Sequence, residues 1–267
     1  MSRIMAGIVT TLCLSLSQVG AAPAWAAAPS NDTVAGAVTI SSLPFDSTVD
    51  VSDATTDALD ATLNEQCGAP ATLGSVWYTY SAPAGVAGVV LDVSQSSYSS
   101  GVIVAEPDGI GGYVVDVCGP GTVGFQTQEG TTYTILAFND TVGSTGGFIR
   151  LQAEAAIVPT LTLAVNPTGK VDRYGNALIS GTYTCSGAEW VSLDASVTQR
   201  VGRFAIQGDG FTGSEVCDGA SYAWSVLVTP YNGKFAGGKA VTVTYAFGCG
   251  ALFCADSFAS QTVRLSR

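Results

Sequence analysis

Apolar and polar residues alternate along most of the chain, most clearly at residues 75–81. There Val76, Tyr78 and Tyr80 fall on one face and Trp77 and Thr79 on the other, the two-residue period of a strand in a packed sandwich. The same reading gives short strands at 35–40 and 43–50, then at 86–93, 101–105, 113–118, 123–127, 131–138 and 148–153. Clusters of Gly, Pro, Asp and Ser separate them at short intervals, as in an antiparallel sandwich with Greek-key or jelly-roll wiring. Residues 54–64 space their apolar positions too sparsely for an amphipathic helix and read as a loop or a single helical turn. Further strands are predicted at 161–165, 177–185, 190–197, 202–207, 222–229, 241–247 and 257–265. At 241–245 the alternation puts Val241, Val243 and Tyr245 on one face and threonines on the other. About seven strands in this stretch predict a second sandwich of immunoglobulin-like type. The expected fold is all-β, two β-sandwich domains, jelly-roll-like over 28–154 and immunoglobulin-like over 161–267. A linker at 155–160 joins them, with Pro159 at the boundary.

The first residues stand apart from this pattern. Met1, Ser2 and Arg3 form a short positive region, 4–16 an apolar core, and Ala24, Trp25 and Ala26 a small-residue cleavage signature. Together they predict a secretory signal peptide over 1–27, its apolar run too short to span a membrane. Cys13 leaves with that segment, so six of the 7 cysteines remain. An even number in an exported chain predicts disulfides rather than metal or redox chemistry. Pairing within domains joins Cys67 to Cys118. The short spacer Gly250, Ala251, Leu252 and Phe253 favours a Cys249–Cys254 bridge, and Cys185–Cys217 follows by elimination.

Charge changes the picture further. The net charge is −11, and residues 28–149 contain no Lys or Arg at all. Such a first domain repels phosphate backbones and anionic lipid, which argues against nucleic acid and membrane surfaces as its partners. Beyond Ile157 the acids Asp172, Glu189, Asp194, Asp209, Glu215, Asp218 and Asp256 nearly balance the bases Lys170, Arg173, Arg200, Arg203, Lys234, Lys239, Arg264 and Arg267. The chain has no histidine. That removes Ser-His and Cys-His nucleophilic catalysis and the usual zinc ligand sets.

Several motifs carry family resemblances. Asn31-Asp32, the strand around Leu43, Pro44 and Phe45, Cys67-Gly68, the run 75–80, Cys118 and Glu129-Gly130-Thr131-Thr132-Tyr133 resemble the bacterial pre-peptidase C-terminal domain over about 30–154. Members of that family are non-catalytic β-sandwiches appended to secreted or surface proteins, and the resemblance implies a role in secretion, targeting or attachment. Some relatives bind calcium through the Asn-Asp pair and later acids. By resemblance Asn31, Asp32 and Asp53, or Asp57 in place of the last, are the candidate calcium ligands, since calcium takes oxygen donors. The run 181–186, Gln199, Gly202-Arg203, Cys217-Asp218-Gly219 and Trp224 resemble a family of small secreted actinobacterial β-domains without assigned function. The Cys249–Cys254 loop is also similar to that of neocarzinostatin-type apoproteins.

No other motif points to catalysis. No serine lies in a Gly-x-Ser-x-Gly turn, and the glycine-rich stretch 108–112 lies between predicted strands as a hairpin turn, not at a helix start as a phosphate loop requires. Tyr98, Tyr113, Trp190, Trp224 and Tyr231 are candidates for an aromatic platform that takes sugar or peptide, with core packing as the alternative. The reading that follows is a secreted, non-enzymatic, monomeric binding or attachment protein whose partner is a protein or glycan at the cell exterior. Calcium is the one cofactor considered. Two other readings stay open: a carrier or inhibitor with a small-ligand cleft in the second domain, and a glycosidase that uses an acid pair without histidine.

Overall fold

The computed structural model describes residues 27–143 and 146–267, so the predicted leader lies, but for its last residue, outside the described residues. The first half contains β1 (Val38–Thr39), β2 (Phe45–Asp50), α1 (Ala58–Cys67), β3 (Leu73–Ser81), β4 (Gly88–Asp92), β5 (Ser100–Pro107), β6 (Tyr113–Pro120), β7 (Thr122–Gln126), β8 (Thr132–Asn139) and β9 (Phe148–Ala155). These strands form two packed sheets, ordered β1-β3-β8-β5-β6 and β2-β9-β4-β7. In the second half β10 (Thr160–Val165), β11 (Thr168–Val171), β12 (Ala177–Ser186), β13 (Trp190–Val201), β14 (Phe204–Glu215), β15 (Ser221–Pro230), β16 (Gly238–Cys249) and β17 (Cys254–Ser266) form one sheet, ordered β10-β12-β11-β17-β16-β13-β14-β15. Pairing of β15 with β12 closes that sheet on itself, so the two faces of the sandwich are joined into a barrel. Closure leaves few unpaired strand edges.

Strand β3 shows how alternation becomes burial. Val76, Tyr78 and Tyr80 enter the core between the two sheets with Leu91, Ile135 and Leu151. Trp77 points the other way into a second cluster with Leu63, Ile103, Leu136 and Phe138. Helix α1 covers that outer cluster. The sparse apolar spacing of 54–64 understated it, because the helix is fixed at its ends rather than by a broad apolar face. The Asp57 carboxylate accepts from Leu59 N and Asp60 N, and Asp57 N donates back to Asp60 Oδ2, a capping box worth about 1 kcal/mol. Gly68 ends the helix in the left-handed region at φ 77°. From the last turn, Gln66 donates to Tyr113 O and accepts from Val115 N, so the helix also occupies the edge of β6.

Three disulfides join Cys67 to Cys118, Cys185 to Cys217 and Cys249 to Cys254, the pairing the cysteine spacing predicts. Closing the first two loops restricts the unfolded chain by roughly 4 kcal/mol each, and the short third by about 2. The Cys249–Cys254 hairpin also packs against the first half. A Cβ on Gly88 would lie 2.5 Å from Leu252 and 3.1 Å from Phe253, and one on Gly124 would lie 3.5 Å from Leu252. Two glycines on β4 and β7 thus make the seat for this hairpin.

Under α1 one carboxyl is buried against the grain. Asp60 is fully buried and its Oδ1 has no partner. Burial, followed by the charge of Asp57, pushes its pKa up to about 6, against the pull of its hydrogen bond from Asp57 N. A folded-state pKa above the unfolded value means that the unfolded chain releases its proton first. Stability therefore falls as pH rises from about 4 to 6 and stays lower above that, by roughly 2 to 3 kcal/mol in full. Asp60→Asn keeps the oxygen that Asp57 N needs and removes the buried charge. The variant is expected to melt above the parent at pH 7, with the gap closing towards pH 4; equal gaps at the two pH values would contradict the assignment.

Candidate functional site

The outer wall of the barrel reverses the usual order of inside and outside. On β16 the inward positions are Ala240, Thr242, Thr244, Ala246 and Gly248, all buried, while Val241, Val243 and Tyr245 face solvent. Neighbouring β17 turns the small residues Ala255, Ser257 and Ala259 inward and Phe258 outward. The physical reason is β10, which packs against the inner side of β16 and β17 and brings Leu161, Leu163 and Val165 to the core. Small side chains opposite it leave the room that these leucines fill. The apolar bulk of β16 is left on the outside.

Pairing registers place the outward rings together. Phe211, Asp194, Tyr245 and Phe258 lie in one row across β14, β13, β16 and β17. With strands about 4.8 Å apart, the row spans roughly 14 Å. In the next row Ser192, Phe247 and Asp256 stand side by side. Tyr245 stacks on Phe247 at 6.3 Å between centroids, and Trp190 meets Phe247 edge-on at 5.7 Å. Phe211 is 77% exposed, Phe258 62%, Tyr245 39% and Trp190 38%. Asp194 and Asp256 are exposed between the rings, and among the described residues neither forms an ion pair. A face of large rings interleaved with carboxylates and hydroxyls can stack on an apolar ring face and accept hydrogen bonds from its substituents at once.

The five aromatic candidates of the sequence do not form one platform. Only Trp190 joins this face. Trp224 is buried in the barrel core and donates to Ala164 O at 3.2 Å. Tyr98 packs on the first core, with burial and then the charge of Asp50 raising its hydroxyl pKa. Tyr113 lies half-buried beside α1, and Tyr231 sits at the far end of the barrel, bonded to Asp209. Phe211, Tyr245, Phe247 and Phe258 were missed because strand period does not say which face turns inward.

The calcium candidates have other work. Asn31 Nδ2 donates to Trp77 O at 3.1 Å, and both oxygens of Asp32 accept from Thr55, its N at 2.6 Å and its Oγ1 at 2.8 Å. Asp53 is exposed. Among the described residues no three acidic, cysteine or histidine side chains converge as a metal site. Asn31 therefore latches the first turn to β3, and Asp32 latches it to Thr55. The turn at 108–112 is equally local, since Asp108 Oδ1 accepts from Ile110 N and Gly112 N. Two carboxyls among the described residues are pushed up in pKa, Asp60 and, through burial and then Glu106, Asp116. The first is sealed under α1 and the second lies on the open β5–β6 hairpin, so they do not form an acid pair across a cleft.

Residues 159–248 match a family of unknown function, DUF6299. The pre-peptidase C-terminal and neocarzinostatin-type resemblances are carried by the sequence motifs alone. No curated protein matches the chain. Among solved structures, an FMN-binding β-glucuronidase from Facaelibacterium prausnitzii L2-6 is similar at 12% identity and a TM-score of 0.26, over 72% of this chain and 32% of that one. A Bifidobacterium dentium β-glucuronidase complexed with coumarin-3-O-glucuronide gives 10% and 0.21 over 72% and 39%. A putative β-galactosidase from Bacteroides fragilis gives 14% and 0.21 over 70% and 32%. The chain spans about a third of the length of these enzymes, and likenesses this distant carry no inference about activity.

The inversion of β16 leaves one buried hydroxyl, Thr244 Oγ1, without a partner. Thr244→Val removes it at constant volume and is expected to stabilise by about 1 kcal/mol, a rise of roughly 2–4 °C in Tm. A fall in Tm by the same margin would show that the hydroxyl has a hydrogen-bond partner.

Proposed function

We propose that the protein acts outside the cell as a non-enzymatic binding or attachment protein, and that the outward face of β13, β14, β16 and β17 takes a glycan. The observation that carries this reading is the row Phe211, Asp194, Tyr245 and Phe258, with Trp190 and Phe247 beside it. Large rings on the outside of a sheet whose inner face holds threonine and alanine oppose the usual sorting of side chains, and such patches mark binding surfaces. The carboxylates decide between partners. An apolar protein surface would desolvate Asp194 and Asp256 without compensation, whereas sugar hydroxyls donate to them while the C–H face of the sugar ring covers Tyr245 and Phe258. Three disulfides fit an extracellular setting, and among the described residues no helix is long and apolar enough to cross a membrane.

Affinity electrophoresis in gels containing soluble β-glucans, mannans or peptidoglycan fragments tests the reading. At least one polysaccharide is expected to retard the protein, and Tyr245→Ala combined with Phe258→Ala to weaken retention about 30-fold, the equivalent of roughly 2 kcal/mol for two stacked rings. Outward truncations leave the core intact, so the double variant should melt within a few degrees of the parent. Unaltered migration in every polysaccharide, or retention that survives the double substitution, would refute the proposal.

A further inference from the structure

The near balance of charge in the second half conceals a separation in space. Following the strands by their pairing, Lys170, Arg173, Arg200, Arg203, Lys234, Lys239, Arg264 and Arg267 all lie at or near the end of the barrel away from the linker. Glu189, Glu215, Asp218 and Asp256 lie towards the opposite end, next to the acidic first half. Among the described residues of the cationic end, Asp172 and Asp209 oppose the bases, and both are engaged. Asp172 accepts from Tyr174 N, Asn176 N and Asn176 Nδ2 at 2.8, 2.9 and 2.8 Å, and Asp209 accepts from the Tyr231 hydroxyl.

That end holds a cavity of about 730 Å³. Arg173, Lys234 and Arg267 stand at its rim beside the Asp172 carboxylate, and Val171, Val201 and Phe235 form an apolar floor. The floor is fixed in place. Buried Gln199 donates to Ala236 O at 2.7 Å and accepts from Ala236 N at 2.8 Å, and Phe235 N donates to Gly175 O at 2.9 Å. Gly175, at φ 93°, leaves space for the stem of Lys234, which a Cβ there would meet at 2.5 Å. The Arg173 guanidinium lies over the Tyr174 ring at 4.6 Å and bonds its hydroxyl, which holds the charge at the rim.

We propose that this cavity binds an organic oxyanion: a phosphoryl group, charged near −2, held by Arg173, Lys234 and Arg267 and carried on an apolar or ring-shaped body that covers Phe235. Arginine's planar fork suits phosphoryl oxygens, and lysine adds a point charge. The apolar floor gives the body of the ligand a place that a bare ion would leave to water. A free phosphomonoester and the pendant phosphate of an exterior polymer share this chemistry. The site lies at the barrel end and is independent of the aromatic face.

Isothermal titration of the mature protein with phenyl phosphate, inorganic phosphate and long-chain polyphosphate tests the proposal. Phenyl phosphate is expected to bind one-to-one, more tightly than inorganic phosphate and more weakly as salt is raised. Arg173→Gln with Lys234→Gln should lower its affinity at least about tenfold, and Tyr245→Ala should leave it unchanged, which separates this site from the glycan reading. Polyphosphate binding tighter than phenyl phosphate indicates a polymer source and weaker binding a free solute; either supports the site. Absence of saturable binding by all three anions, or equal binding by the double variant, overturns it.

Discussion

A strand in a closed sheet can turn only one of its two faces inward, and which face turns inward is set by what lies opposite. In the second half of this protein that choice is made by β10, whose Leu161, Leu163 and Val165 lie against the inner side of β16 and β17. Close packing between these layers tolerates Thr242, Thr244, Ala246 and Ala259 but not Tyr245 and Phe258. A slip of one residue would exchange the two sets entirely. The pairing of β12 with β15 closes the barrel and removes the freedom to slip. The exposed ring face is thus a consequence of core packing, and the barrel carries it at the expense of one unpartnered hydroxyl, that of Thr244.

The first half solves a different problem, two apolar faces on one sheet. Val76, Tyr78 and Tyr80 enter the inter-sheet core while Trp77 needs a separate cover, supplied by α1 and tied down through Cys67–Cys118. Placing a helix there brings Asp60 into the interior, where its unpaired oxygen remains a stored penalty. The two halves then meet where the Leu252 hairpin seats against Gly88 and Gly124, so the smallest disulfide loop of the chain is also a contact between them. With the acidic first half at one end and eight cations gathered at the other, the molecule is electrically polarised along its length.

What the sequence disclosed and what it withheld follow from the range of each signal. Alternation at 75–80 and the cysteine spacings are local or near-local, and they gave β3 and three correct bridges. Helix α1 was obscured because its stability resides in Asp57, Asp60 and Gly68 rather than in apolar periodicity. The alternation at 241–245 was legible, but its polarity was not, since valine and threonine are nearly isosteric and the deciding neighbour, β10, lies far away along the chain. Membership of the ring face depends on cross-strand register, which joins Phe211 to Phe258 through two intervening strands and leaves Trp224 and Tyr98 elsewhere. Cation clustering escaped for the same reason: linear charge counts cannot see strand direction. Asn31 and Asp32, read by resemblance as metal ligands, bond to Trp77 and Thr55, contacts that no local pattern discloses.

Hydroxyl-radical footprinting read by mass spectrometry tests the central claim, the outward orientation of the rings, most directly. Tyr245, Phe258 and Phe211 should be oxidised at rates close to those of exposed aromatic residues, while Trp77 and Trp224 stay protected in the same sample. Protection of Tyr245 and Phe258 to the level of Trp77 would show that the rings lie inside the barrel and would contradict the account.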